Sequence, residues 1–204
     1  MMTQIALPDL HAPAALVLDR EHPLTDDEYF AFCEANPDVL IERTSDGEII
    51  ILPPAGFESA YRNADLVTQI GKWNEKDGRG KVFGPTVQFM LLDGSALSPD
   101  AAWISNERQA QIPRKERRRF PRIAPEFVVE IMSPSDRLRA AQRKMRRWIE
   151  NGVDVAWLID PDNRVVHVYR SGQEPPIFHE PDQIEGEGPV EGLAVDLKNV
   201  WQGL

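Results

Sequence analysis

Residues 127–132 constrain the fold more than any other segment. They read Phe-Val-Val-Glu-Ile-Met. Successive side chains of a strand point to opposite faces, so Phe127, Val129 and Ile131 share one face and Val128, Glu130 and Met132 the other. Both faces are apolar, which suits a central strand covered on each side, not an edge or a half-solvated sheet. The same strand carries Glu130 inward, where a charge must be paired, hydrogen-bonded, neutralised or metal-bound.

The rest of the pattern supplies the covering layers. Thr25 caps a helix to about Asn36, with Asp26, Asp27 and Glu28 in its first turn. Residues 40–43 and 48–52 form a hairpin around Asp46-Gly47. A helix from about Ser59 to Glu75 places Ala60, Ala64, Val67, Ile70, Gly71 and Asn74 on one face, together with the polar Asn63. Strands are expected over 81–92 and 97–105, separated by Asp93-Gly94, then a basic, proline-interrupted stretch over 106–124 with one short helix. Beyond the strand at 125–132, a helix runs from about Asp136 to Glu150 and stops at Asn151-Gly152. Strands at 155–159 and 165–169 turn through Pro161-Asp162-Asn163. This order predicts a mixed α/β fold with helices against a central sheet. One domain over 1–204 is expected, with an irregular segment at 1–23, a core over about 24–170 and a C-terminal extension over about 171–204. No glycine-rich phosphate loop follows a strand, which argues against a Rossmann or P-loop nucleotide site.

Composition narrows the classes. Hydrophobic residues at 42% and charged residues at 27% exclude a disordered chain. A single cysteine, Cys33, excludes an intramolecular disulfide and a thiol-rich zinc site, and His11, His22, His167 and His179 lack zinc-ligand spacing. Apolar runs of about five residues fall short of the roughly 18–20 of a membrane span. The N-terminus lacks a basic start before an apolar segment, so a cytoplasmic location is the default expectation. Net charge is −10, yet 113–147 holds 12 basic and 4 acidic residues, a +8 island on a body of −18. That island is either a polyanion-binding face or a solvated helix face.

A second acid resembles Glu130. Asp100 follows Ser98-Pro99 and precedes Ala101-Ala102-Trp103-Ile104, sharing a strand face with Ala102 and Ile104. On the helix after Glu130, Leu138, Ala141, Met145, Trp148 and Ile149 form an apolar stripe. Lys144 lies about 90° from its centre, at the border of the buried face. Arg137 sits on nearly the same flank and is a rival to Lys144, whereas Arg139, Arg143, Arg146 and Arg147 point further outward. Two carboxylates can hold Mg²⁺ with waters in its remaining positions, and a nearby ammonium can stabilise charge on a phosphoryl group. A buried ion pair of Lys144 with Glu130 or Asp100 is the purely structural alternative.

At these residues the chain resembles the PD-(D/E)XK nuclease superfamily and, more narrowly, the bacterial Uma-two family of restriction-endonuclease-like proteins. The likeness spans about residues 24–201. It rests on Leu24-Thr25, Glu42 before Asp46-Gly47, Tyr61-Arg62-Asn63-Ala64, Ser98-Pro99-Asp100, Val129 through Ser135, Gln142-Arg143-Lys144-Met145, Asn151-Gly152-Val153 and Trp157 through Pro161. The resemblance implies a restriction-endonuclease-like core, with Asp100 as the motif aspartate and Glu130 as the motif acid. The superfamily usually carries lysine two positions after that acid, where this chain has Met132. In the Uma-two pattern a lysine on the following helix replaces it, and Lys144 matches. Many similar proteins have histidine near Asn63; here Asn63 either orients water or substrate or is a core amide. Glu42 is either a further metal-side carboxylate or a hairpin surface charge.

The function so implied is a DNA endonuclease that hydrolyses phosphodiester bonds with Mg²⁺ or Mn²⁺. Its metal ligands would be Asp100 and Glu130, with Lys144, Glu42 and Asn63 completing the catalytic set. Arg137, Arg139, Arg143 and Arg147 would meet the nucleic-acid backbone. A homodimer follows by analogy, because double-strand cutting needs two sites; no membrane partner is expected. A catalytically silent nucleic-acid- or protein-binding module on the same fold is the competing reading, and an ion-paired core with a solvated basic face is a third.

Overall fold

The computed structural model describes residues 23–204 and the backbone of Ala15–Leu16. Most of the segment expected to be irregular over 1–23, with His11 and His22, lies outside the described residues. In chain order the elements begin β1 (Ala15–Leu16), α1 (Asp26–Glu34), β2 (Leu40–Arg43), β3 (Ile49–Leu52), α2 (Phe57–Asp77) and β4 (Gly80–Phe83). They continue with β5 (Phe89–Met90), β6 (Ala96–Leu97), β7 (Ala101–Ser105), α3 (Asn106–Ala110), β8 (Phe127–Ile131) and α4 (Leu138–Glu150). The last are β9 (Val155–Asp160), β10 (Val165–Arg170), β11 (Ile177–His179), β12 (Gln183–Glu185), β13 (Ala194–Asp196) and α5 (Lys198–Gln202). They gather into two compact units.

The first unit draws on the chain up to Ala55, on Gln88–Ser98 and on Pro113–Ile123. Its sheet runs β1-β3-β2-β6-β5, antiparallel throughout. Thr25 closes a capping box on α1: its hydroxyl accepts from the Glu28 amide, and the Glu28 carboxylate accepts from the Thr25 amide at 2.9 Å. Gly47, at φ 84°, makes the hairpin turn expected between β2 and β3. Leu24, Tyr29, Ile41, Ile49, Met90 and Ala96 form the core. The buried Arg43 donates to the carbonyls of Leu24 and Gly94, both at 3.0 Å, and pairs with Asp26.

The second unit comprises Gly56–Val87, Pro99–Ile112 and Ala124–Leu204. Its six-stranded sheet runs β11-β10-β9-β8-β7-β4, and β8 and β9 are its one parallel pair, so it is mixed. One face carries Ala101, Trp103, Phe127, Val129, Ile131 and Trp157, packed with Leu66 and Ile70 of α2 and Val200 of α5. Helix α4 packs against β8, β9 and β10, on the side toward which Glu130 points. Val128 and Val129 are both fully buried, as a strand apolar on both faces requires.

Two expectations are corrected. The strands expected over 81–92 and 97–105 are each broken, with β4 and β7 in the second unit and β5 and β6 in the first. Gly84-Pro85 and Pro99 sit at the breaks, and a proline cannot donate to a ladder. The buried face of α2 is also rotated from the expected one. Ala60 and Ala64 are exposed, while Arg62, Asn63, Leu66 and Ile70 are buried. Polar residues stand on this face because each has a partner. The Arg62 Nε–H donates to the Val200 carbonyl at 2.9 Å, and Asn74 Oδ1 accepts from the Trp103 indole at 2.8 Å.

Gly80 is required by close packing. A Cβ there would press into the Trp103 ring and lie 2.5 Å from the Ile104 carbonyl oxygen. Gly80→Ala is therefore expected to cost about 1–3 kcal/mol of stability through overpacking. Urea denaturation of the two proteins measures it.

A candidate two-carboxylate site at a sheet end

The parallel and antiparallel neighbours of β8 set up the site, which lies within the second unit. In the β7–β8 ladder Ala101 faces Val129 and Ala102 faces Val128. Continued by one step, that register sets Asp100 opposite Glu130; by two, Pro99 opposite Ile131. Pro99 has no N–H, and the ladder ends there. Beyond the ladder, the Ile131 N–H donates to Asp100 Oδ2 at 2.7 Å. The other oxygen, Oδ1, accepts from the Asn63 amide nitrogen of α2 at 2.8 Å. Ser-Pro-Asp thus precedes a strand and sets an aspartate on the Ile131 amide of the neighbouring strand.

Glu130 is held from α4. Lys144 Nζ lies 3.0 Å from Oε1 and 3.1 Å from Oε2, and the Trp148 indole N–H donates to Oε1 at 2.9 Å. Lys144 and Trp148 are four residues apart, so one helix face presents both. The expected rivalry is resolved: Lys144 meets the acid, while Arg137 stands exposed at the start of α4, its carbonyl accepting from the amides of Ala140 and Ala141. In the sequence Trp148 is one residue of the apolar stripe, with no stated bond to Glu130. The available signal was an indole N–H on the apolar stripe, one turn from Lys144, needing a buried acceptor.

The electrostatics bind the group together. Burial pushes the Asp100 carboxyl above its ordinary range. The Ile131 amide, the Lys144 ammonium and the Asn63 amide oppose that rise, whereas the negative charge of Asp136 adds to it. The Lys144 ammonium that pairs with Glu130 thus also favours the charged form of Asp100. A two-carboxylate donor set fits a hard divalent cation that keeps several waters, and Asp100 and Glu130 would hold it. Among the described residues no three carboxylate, imidazole or thiol side chains gather as a ligand set, so protein ligation would rest on these two acids.

Glu42 belongs to the first unit, where it is 4% exposed and its Oε1 accepts from the Ser98 amide at 2.9 Å. The structure thus gives it a structural contact within that unit, not the surface position of a hairpin charge. The basic island is divided between the units: Pro113–Ile123 belongs to the first and its remainder, from Ala124, to the second. In the first unit Arg119 pairs with Asp27 at 2.7 Å and Arg122 with Asp26. On α4 and at its start Arg137, Arg139, Arg143 and Arg146 are exposed and Arg147 is half-buried. His167 is a buried packing residue of β10. Among the described residues no helix is long and apolar enough to cross a membrane.

A family model named Uma2 and described as "putative restriction endonuclease" matches residues 26–198. The chain is also similar to a crystal structure described as a putative nuclease belonging to DUF820 from Anabaena variabilis ATCC 29413. That likeness has a TM-score of 0.72 and 26% identity, and covers 88% of this chain and 98% of the other. A DrdV–DNA complex matches with a TM-score of 0.37 and 15% identity over 58% of this chain and 69% of the other, too distant to bear on fold or function. No curated protein matches significantly. The mixed sheet flanked by helices is therefore the fold of the Anabaena protein, and this chain belongs to the Uma2 family of restriction-endonuclease-like proteins.

Proposed function

We propose that this protein is a divalent-metal-dependent endonuclease that hydrolyses DNA phosphodiester bonds at Asp100, Glu130 and Lys144. Family membership and the likeness to a nuclease structure support a nuclease role. The finer reading is supported by the Lys144–Glu130 ion pair on β8 and by Asp100, which accepts from the amide of the next residue of that strand, Ile131. When bound, Mg²⁺ or Mn²⁺ would lower the pKa of an attacking water and offset charge on the phosphoryl group. Asp100 and Glu130 supply its carboxylate ligands. Asn63 holds Asp100 by one oxygen, and the Ile131 amide holds it by the other. The Lys144 ammonium stabilises charge as it builds on the non-bridging phosphate oxygens. The arginines of α4 attract the backbone without reading bases, so cleavage is expected to show no dependence on base contacts from this helix. The test is incubation of supercoiled plasmid with purified protein in Mg²⁺, in Mn²⁺ and in chelator. Nicking or linearisation in metal, absent in chelator, is the expected result; intact plasmid under all three conditions overturns the reading.

Phosphate contacts have a separate signature. If Arg139 and Arg143 each neutralise one phosphate, changing both to alanine lowers the slope of log affinity against log salt by about two. Fluorescence anisotropy with a labelled duplex at several salt concentrations measures it.

One observation favours a second reading. All four oxygens of Asp100 and Glu130 already have partners within the chain. A self-satisfied cluster of this kind also suits a silent binding module, in which the acids hold the fold together. Calorimetry separates the two: duplex binding without any Mn²⁺ binding belongs to the module.

A further inference from the structure

The proposed site contains an aromatic donor to which nothing so far assigns a part. The Trp148 side chain is fully buried, and its indole N–H points at Glu130 Oε1 from 2.9 Å. A buried indole N–H needs an acceptor, and packing alone would be met by a backbone carbonyl or a hydroxyl. Here the acceptor is the carboxylate that also receives the Lys144 ammonium. Resting on the reading above, we propose that Trp148 is a positioning residue for the metal site: its N–H fixes the rotation of the Glu130 carboxylate.

The physical case is one of rigidity. A glutamate side chain has three rotatable bonds, and the terminal one is broad, so a carboxylate held only by a lysine can swivel. Lysine is a poor orienter, because its ammonium is a point charge on a flexible four-carbon stem. Trp148 has the opposite character. Its ring is clamped in the interior beside the fully buried Met145, so its one donor has a fixed direction. The flexible partner supplies charge and the rigid partner supplies direction. Groups that hydrogen-bond a metal-binding carboxylate typically change metal affinity or activity 10–100-fold when removed.

The test uses the full chain in four forms: wild type, Trp148→Phe, Glu130→Gln and the double variant. Mn²⁺ affinity is measured by calorimetry, and the indole proton resonances by NMR in the absence of metal. Trp148→Phe is expected to weaken Mn²⁺ binding about 10-fold or more. In the Glu130→Gln background the same change is expected to add nothing, since the oriented carboxylate is already gone. A merely structural tryptophan would weaken binding equally in both backgrounds, or in neither, and either result overturns the proposal. Should Trp148→Phe fail to fold, the NMR comparison decides. The Trp148 indole proton is expected to move when Glu130 becomes glutamine, and an unmoved resonance overturns the contact. Wild-type protein that binds no Mn²⁺ sinks the metal reading itself, an outcome distinct from a variant indistinguishable from a metal-binding wild type.

Discussion

Glu130→Ala is expected to lower metal-dependent DNA cleavage by about a thousandfold or more, because it removes a proposed metal ligand and the acceptor that holds Lys144 in place. The two losses act as one unit, so Lys144→Ala in the same background should cost little further activity. The variant should also be less stable. The Lys144 ammonium and the buried Trp148 N–H both lose their carboxylate, and an orphaned buried donor costs about 1–3 kcal/mol. Lys144 is about a quarter exposed and recovers some solvation, so the indole should dominate that cost. A fluorescent-duplex cleavage assay run beside urea denaturation reads both quantities. Full cleavage by a folded Glu130→Ala protein would place the chemistry at other residues.

Asp100→Asn is expected to separate activity from stability, moving them in opposite directions. Activity should fall by a similar factor, since a neutral amide is a poor ligand for a hard cation. Stability, measured in chelator, should rise near neutral pH. Burial raises the Asp100 carboxyl above its unfolded value, so the folded state binds a proton that the unfolded state has released. Wild-type stability from this group is therefore greatest below the unfolded value near 4, and is lost as pH rises through the elevated folded one. Asparagine has no such loss. The advantage of the variant should be small in acid, grow across that window and level off above it. Denaturation midpoints from pH 3.5 to 8 check the sign. A variant less stable than wild type at pH 8 would mean that the Ile131 and Asn63 hydrogen bonds to a charged acceptor outweigh its desolvation.

The proposed site was partly legible because two of its parts are local. An acid in a strand apolar on both faces stands out, and so does a lysine bordering a helical stripe. The third part is a proline: Pro99 stands just before β7 and offers no donor, so its place beside Asp100 has a mechanical cause, and the cause is visible only against the strand next to it. Glu42 shows the reverse. Its place ahead of a turn suggested either a metal-side acid or a surface charge; its burial removes the second reading, and its partner is the Ser98 amide inside the first unit. Nothing within a few residues of Glu42 announces Ser98, which lies 56 positions along the chain.

Periodicity of 2 and 3.6, turn residues and caps were enough to state the mixed α/β class, α1, the β2–β3 hairpin, β8, α4 and the β9–β10 hairpin. These follow from interactions within one or two turns of the chain, which a sequence displays directly. The division of two expected strands between separate sheets, the rotated face of α2 and the choice of Lys144 over Arg137 came from the tertiary structure. So did the grip of Trp148 on Glu130. The last three depend on which buried polar group finds its partner, and such partners lie from 14 to 138 residues apart. Apolar patterning is blind to them: a polar side chain reads as surface until the acceptor that makes its burial affordable has been brought alongside.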